Sequence, residues 1–374
     1  MKTVIMAGGG TGGHLYPALA LGTALQQRDP AIRVHYVGAR RGVEARVLPS
    51  HDVDHTLLPI RGFQRDGIWR NWRLIPALIG TFAGLARLFV QLRPDLVVGT
   101  GGYASGPAGM WAVMTAVPLA VQEQNSHPGF TTRQLSRWAR QVHLGFPEAS
   151  LLLKPGRNTE VHALGNPIRP PDPTIVGVAA RQHFGLSADA TVLLVVGGSQ
   201  GSRAINQTLI GALELVAAGT LSSRPPGLEI LWATGPTHIE SVRERLGPLG
   251  LGWVKTLGYI DAMPEALAAM DVAVSRAGAM ATAELLAWGR PMLLVPLPTA
   301  AADHQTHNAR ALEQAGAALM IVEHELTPER LWQSILSLTA DEARLAAMQT
   351  AARNRAQPNA AREIVEHLYG LIAS

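Results

Sequence analysis

The chain carries one strand–glycine–helix signature twice. Thr3–His14 begins TVIMAGGGTGGH, and Thr191–Asn206 reads TVLLVVGGSQGSRAIN. In each, an apolar run of strand length enters a cluster of glycines and leaves in a helical pattern. Glycines at that point let the backbone turn tightly and approach a ligand, and they leave N–H groups free where the helix starts. A third such turn, VVGTGGYASGP, lies at Val97–Pro107. Further short apolar runs read as strands at Arg33–Val37, Leu96–Val98, Leu119–Gln122, Glu229–Ala233, Val272–Val274 and Met292–Val295. Ala/Leu-rich helical patterns separate many of them. Strands alternating with helices specify a parallel sheet covered on both faces. The fold class is therefore α/β, with two Rossmann-like, doubly wound domains. NPIRPPDP at Asn166–Pro173 carries four prolines, cannot form regular structure and marks the boundary. Open α/β sheets bind ligands beyond the carboxyl ends of their strands. Two facing sheets would place a site in the cleft between the domains.

Composition excludes several classes. The 374 residues include no cysteine, so a disulfide framework, a thiol nucleophile and Cys-ligated metal sites are excluded. A net charge of +4, from 32 basic and 28 acidic residues, is too small to imply nucleic-acid binding. The apolar run Val4–Ala7 is too short for a signal-peptide core. No uncharged apolar stretch reaches 18 residues, so no spanning helix is expected.

Several residues carry chemistry. Gly8-Gly9-Gly10-Thr11-Gly12-Gly13-His14 formally contains G-x-G-x-x-G, but the second strand ends in Arg40-Arg41 and not in an acid, which leaves NADP as a dinucleotide alternative. A neutral His14 at a helix N-terminus and facing a cleft can take a proton from a hydroxyl, or can simply hydrogen-bond the loop. Gly197–Gly201, with Ser199, makes an anion cradle or only a tight turn; it lacks the Walker lysine. Arg276 leaves a strand end, and Glu284 falls in the first two turns of the next helix. A carboxylate there can accept both hydroxyls of a ribose, or can merely complement the helix dipole. Two polar clusters, His51–His55 and Asp303-His304 with His307, have metal-ligand residue types without an established third ligand, and read better as loops.

A helix from about Trp69 to Leu92 has an unusually wide apolar surface. At about 100° per residue, Trp72, Ile75, Ile79, Phe82 and Phe89 share one face. Leu74, Leu78, Leu85, Leu88 and Leu92 form an adjoining one. Together they cover roughly 200°, about twice the stripe a surface helix needs. With Arg65, Arg70 and Arg73 nearby, this fits docking on an anionic bilayer. A helix clamped between a sheet and a neighbouring helix is the competing reading.

GGGTGGH, GTGGYASGP, QEQN, GNPIR, GGSQGS, RAGAMATAE and DHQTHNA occur in this order and at matching spacings in one family. From Val4 to about Asn308 the chain resembles the MurG family of peptidoglycan N-acetylglucosaminyltransferases. The resemblance implies the GT-B fold and an inverting, metal-independent hexosyltransferase without a cofactor. The donor would be UDP-GlcNAc. The acceptor would be the C4 hydroxyl of MurNAc in undecaprenyl-pyrophosphoryl-MurNAc-pentapeptide (lipid I), giving lipid II. It further implies a peripheral enzyme at the cytoplasmic face of the plasma membrane, with an anionic membrane surface and other cell-wall synthesis proteins as partners. Residues 1–166 would form the acceptor and membrane-docking domain, with a last helix at about 356–374 packing back on it. Residues 167–355 would bind the donor.

Carried over by motif, His14 is the base. Thr11, Gly12 and Gly13 would contact the donor, and Asn125 its sugar. Arg169, Ser199 and Gln200 would serve the nucleotide and diphosphate, together with Arg276. Ile260 would pair its backbone with uracil, with Tyr259 beside the base. Ala279, Met280, Ala281, Thr282, Ala283 and Glu284 would line the sugar and ribose, and Gln305 would hold GlcNAc hydroxyls. Tyr103, Trp69, Trp72, Ile75, Ile79, Phe82 and Arg137 would face the acceptor and membrane; Arg133 is a further basic position there. The family often has histidine where this chain has Gln122.

Overall fold

The computed structural model describes residues 1–62 and 74–373, so Trp69, Trp72, Arg65, Arg70 and Arg73 lie outside the described residues. The chain divides into two compact units, Met1–Arg169 with Asn359–Ser374, and Pro170–Pro358.

The first unit runs β1 Thr3–Ala7, α1 Gly12–Arg28, β2 Arg33–Ala39, α2 Glu44–Ser50, β3 His55–Leu58, α3 Leu74–Leu92, β4 Leu96–Gly99, α4 Gly102–Met114, β5 Leu119–Glu123, α5 Phe130–Leu135, β6 Gln141–Leu144 and β7 Glu160–His162. Its strands pair in the order β3-β2-β1-β4-β5-β6-β7, all parallel. Every residue of β1 is buried, because helices cover both faces of the sheet. Val4 lies in register with Val34 on one side and Leu96 on the other. The order reverses between β1 and β4, so the loops after these two strands open at one switch point.

The second unit runs α6 Gly177–His183, β8 Thr191–Val196, α7 Arg203–Ala217, β9 Leu228–Ala233, α8 Ile239–Leu246, β10 Val254–Leu257, α9 Met263–Ala269, β11 Val272–Ser275, α10 Ala279–Ala287, β12 Met292–Leu294, α11 His304–Gln314, β13 Ala318–Met320, α12 Pro328–Thr339 and α13 Glu342–Arg355. Its parallel order, β10-β9-β8-β11-β12-β13, puts the switch point between β8 and β11. Trp232 and Trp332 are the largest side chains sealed in its core.

A last helix, α14 Ala360–Ala373, belongs to the first unit. Ile364, Val365, Leu368 and Ile372 recur at helical spacing and join the core of Val4, Met6 and Leu15. Burial of each stabilises by roughly 1.5–3 kcal/mol. Arg28 donates to Glu366 at 2.6 Å and stacks on Tyr369.

Five strands absent from the candidate strands of the sequence, β3, β6, β7, β10 and β13, have three or four residues each. Four of them are sheet edges. Polar residues such as His55, Glu160 and Lys255 interrupt their apolar patterns where one side meets solvent.

Candidate active site

In the first unit, four sequence motifs meet around His14. The loop between β1 and α1 delivers the ring three residues after the N-cap, Thr11. Gly101 and Gly102, both at positive φ, follow β4, and their backbone lies against the ring. A Cβ on Gly101 would stand 2.8 Å from His14 Nδ1, which is why this turn needs glycine in place and in conformation. Thr100 Oγ1 donates to the His14 carbonyl at 2.7 Å. The ring Nδ1 meets Gln124 Oε1 at 2.9 Å. The Nε2 atom has no partner among the described residues and His14 is half-buried.

Behind this loop sits Glu44, fully buried, with Oε1 accepting from the Ala39 N–H at 3.1 Å. A Cβ on Gly9 or Gly42 would overlap its carboxylate, so these glycines make room for a buried acid. The Tyr103 ring lies against Gly10 and Gly62, and burial together with Glu44 raises its hydroxyl pKa. Thr11 and Gly13 are exposed and Gly12 half-buried on the same loop. Asn125 is buried and tied to Glu123 Oε1 through both its backbone N–H and its side-chain amide. Arg169, the last residue of this unit before the chain leaves it, is exposed.

In the second unit, a cavity of about 180 Å³ opens between the ends of β8 and β11. Its deep walls are apolar, from Leu194, Ala233, Ala273 and Leu285. Ile260, only 2% exposed, and Tyr259, half-exposed, line it, with Ser199 and Ala281. Glu284 projects into it without a hydrogen bond or ion pair among the described residues, and burial pushes its carboxyl up to about 7. The spacing explains the placement: α10 starts at Ala279, so Ala281 and Glu284 are one turn apart on one face.

A second, wider cavity of about 550 Å³ adjoins the first, since both are lined by Gly198, Ser275 and Ala281. Gln305 lines it, its Oε1 accepting from the Leu297 N–H at 3.0 Å. The N-terminus of α10 has no side-chain cap on Gly278, which leaves the N–H groups of Met280 and Ala281 as donors.

Several expected roles differ in detail. Helix α7 starts at Arg203, capped by Ser202, whose hydroxyl accepts from the Ile205 N–H; Ser199 and Gln200 are exposed residues of the loop before it. Arg276 is engaged, with Nη2 2.6 Å from Glu323 and Nη1 donating to the Val295 and Pro296 carbonyls. Its charge is compensated within the unit. Thr282 is buried, and its hydroxyl donates back to the Gly278 carbonyl, so it stabilises the first turn of α10. Met280 and Ala283 are half-buried on α10.

Helix α3 is split in character. Ile75 and Ile79 are 66% and 67% exposed, whereas Leu85, Leu88 and Phe89 are buried. Phe82, expected on the open face, instead packs on Trp111 at 5.7 Å and joins the core. Ile75–Leu92 is long and apolar enough to cross a membrane by length and composition, contrary to the reading of the sequence; its Leu85–Phe89 portion nevertheless packs on the sheet. Arg137 is exposed next to Trp138, itself 47% exposed, and Phe130 is exposed on α5. Of the two metal-like clusters, Asp54 is bonded to Arg33, His55 Nδ1 to the Val53 carbonyl, and Asp303 to Thr306. Among the described residues no three His, Asp or Glu side chains converge as a metal would require.

Gln122, Gln124, Thr100, Glu44 and Glu323 are not among the residues expected at the site. The signal was present for the first two. Gln122 directly follows Leu119–Val121 in a central strand, where apolar residues are the rule, and Gln124 stands just past its end.

Two parallel doubly wound units, each with glycine-rich loops at its switch point, define the GT-B class of glycosyltransferase folds. Family models agree: the glycosyltransferase family 28 N-terminal domain matches residues 4–144, and the family 28 C-terminal domain residues 192–368. The chain is 38% identical over 379 residues to the UDP-N-acetylglucosamine–N-acetylmuramyl-(pentapeptide) pyrophosphoryl-undecaprenol N-acetylglucosamine transferase of Moorella thermoacetica, covering 99% of each. It is 39% identical to the protein of the same name from Chlorobaculum parvum, covering 99% of this chain and all of that one. The crystal structure of Acinetobacter baumannii MurG superposes with a TM-score of 0.80 at 30% identity, over 99% of this chain and all of that chain. The chain belongs to glycosyltransferase family 28 and, within it, to the MurG family of N-acetylglucosamine transferases.

Proposed function

We propose that this protein transfers GlcNAc from UDP-GlcNAc to the C4 hydroxyl of MurNAc in undecaprenyl-pyrophosphoryl-MurNAc-pentapeptide, forming lipid II with inversion at the anomeric carbon. One observation carries the donor half of this reading. A carboxylate without a partner among the described residues, Glu284, stands in a largely apolar cavity of nucleoside size at the switch point of the second unit. A ribose presents two adjacent hydroxyl donors, and an ionised carboxylate presents two acceptors. Tyr259 flanks the base, and the backbone of Ile260 pairs with its edge. The diphosphate meets the N–H groups of Met280 and Ala281 and the loop at Ser199 and Gln200, with Arg169 as a cation for it. Arg276 orients the strand ends through Glu323 and the carbonyls it binds. Gln305 and Asn125 serve the sugar hydroxyls, and Thr11, Gly12 and Gly13 complete the donor contacts.

In the reaction the C4 oxygen attacks the anomeric carbon from the face opposite UDP. The new C–O bond forms as the bond to the UDP oxygen breaks, and the hydroxyl proton passes to His14 Nε2. The leaving diphosphate is stabilised by oriented helix N-terminal dipoles, which need no reorganisation during the step. No metal is assigned a role. The exposed Ile75 and Ile79, with Phe130, Trp138 and Arg137, form the membrane-facing surface of the first unit, beside Tyr103 on the acceptor side. This surface supports a peripheral position on an anionic leaflet at the cytoplasmic face of the plasma membrane, with other cell-wall synthesis proteins as partners.

The test is UDP release from UDP-GlcNAc with and without a lipid I analogue, in EDTA. Release that requires the acceptor is the expected result. Binding of UDP-GlcNAc without release would keep the donor site and discard the acceptor. Absence of both would overturn the reading. Epimerised sugar formed without acceptor would reassign the chemistry.

A further inference from the structure

We infer that Gln124 is a positioning residue that fixes the tautomer of His14. The inference rests on the proposal that His14 is the base, and adds how its proton-accepting nitrogen is selected. Imidazole is neutral in two forms, and only the form with the proton on Nδ1 leaves Nε2 free to accept one. Three polar side chains determine which form is present, and the direction of their chain follows from groups that can act in only one way.

The chain starts at backbone carbonyls, which only accept. Asn166 Nδ2 donates to the Gln124 carbonyl at 3.0 Å, so Asn166 presents Oδ1 to its other neighbour. That neighbour is Gln122 Nε2, at 3.2 Å. Gln122 therefore presents Oε1 to Gln124, which must answer with Nε2. The same Nε2 donates to the Thr100 carbonyl at 2.8 Å, a second acceptor-only anchor. Gln124 is thereby held with Oε1 facing His14 Nδ1 at 2.9 Å. A carboxamide oxygen only accepts, so Nδ1 must carry the hydrogen. Reversing any one amide would set two acceptors or two donors against each other inside a buried network, since Gln122, Gln124 and Asn166 are all at most 2% exposed.

Steric observations support the same design. A Cβ on Gly145 would overlap the Asn166 amide, and one on Gly101 would press on His14 Nδ1. Thr100 binds both ends, taking the Gln124 amide on its carbonyl and holding the His14 carbonyl with its hydroxyl. The orienting group is a neutral amide, so it sets direction without placing a negative charge against the ring.

The tautomer is read directly from the 15N shifts of the His14 ring in the full-length protein, assigned by loss of the signal in His14→Gln. The expected ring at neutral pH is protonated on Nδ1. A ring protonated on Nε2 overturns the proposal, whatever the role of His14. Gln124→Met removes the acceptor at similar volume. It should lose the single tautomer and lower kcat by about ten- to a hundredfold, as expected for a misdirected general base, with KM for UDP-GlcNAc changed by less than about twofold. Gln124→Glu keeps an acceptor against Nδ1 in its neutral acid form, and should restore the tautomer and most of kcat. Loss of kcat in Gln124→Met with the Nδ1–H tautomer intact would show a merely structural role and refute the assignment. If the wild-type ring is Nδ1–H but His14→Gln turns over normally, the base reading fails on its own, separately from the orientation by Gln124.

Discussion

Replacing Glu284 by glutamine should make the protein more stable and its nucleotide site worse, and the two effects should separate with pH. The carboxyl is raised from 4.5 to about 7 by burial among apolar walls, without a partner among the described residues. At about 1.4 kcal/mol per pKa unit this corresponds to about 3 kcal/mol of disfavoured charge in the ligand-free protein. A carboxyl raised on folding binds more protons in the native state than in the unfolded state between pH 4.5 and 7. Stability contributed by this group therefore falls as pH rises across that window, and the whole deficit is present above about pH 7. Glu284→Gln carries no charge to desolvate. Thermal unfolding followed at pH 8 should show the variant stabilised by up to about 3 kcal/mol, which is roughly 6–12 °C for a unit of this size. Near pH 4.5 the gain should vanish. Calorimetry with UDP should show the opposite sign, a loss of about 1–3 kcal/mol in binding from the missing charge-assisted hydrogen bonds. In the parent protein, binding near pH 7 should release a fraction of a proton, read from the dependence of the heat on buffer ionisation enthalpy. A gain in stability that does not vary with pH would refute the desolvation argument. Unaltered UDP affinity would remove Glu284 from the ribose.

Further outcomes follow from the same geometry. His14→Ala should lower kcat by about 10²–10⁴ with donor affinity nearly unchanged, as loss of a general base requires; steady-state kinetics with a lipid I analogue decides it. Gly101→Ala should lower kcat while leaving UDP binding to the second unit intact, because the added Cβ stands 2.8 Å from His14 Nδ1 at a residue with φ of +95°. Undiminished turnover would show that the ring need not sit there. Ile75→Ser with Ile79→Ser should reduce sedimentation with anionic vesicles and leave the melting temperature within about 1–2 °C, since both residues are exposed. Persistent vesicle binding would move the docking surface elsewhere. Burial, together with the neighbouring His162 and His367 rings, pushes His143 down to about 3. A depressed histidine contributes stability above its unfolded value that is lost as pH falls from 6.5 toward 3. His143→Leu should flatten that acid-side loss in urea titrations; an unchanged slope would show that the ring is not the cause.

The glycine clusters, the alternation of short apolar runs with helical patterns, and the proline-rich break were local features, and they carried the α/β class and the positions of the central strands. Strands buried on both faces write themselves as continuous apolar runs, so β1, β4, β8 and β11 were legible. Glu284 was legible too, because a residue in the first two turns of the helix after β11 stands at a fixed distance from the strand end. The edge strands were not, since their residues answer to solvent on one side. Nor could the sequence decide that Arg276 is neutralised by Glu323, 47 positions away, or that Thr282 turns back on its own helix. The face of α3 that closes on Trp111 and the face that stays open were likewise settled by what packs against it. Above all, the direction of the amide chain from Asn166 to His14 exists only once β5, the turn after β4 and the Asn166 loop are side by side. Residue type and spacing supplied a histidine, two glutamines and an asparagine; the acceptor-only carbonyls that orient them were assembled by the tertiary structure.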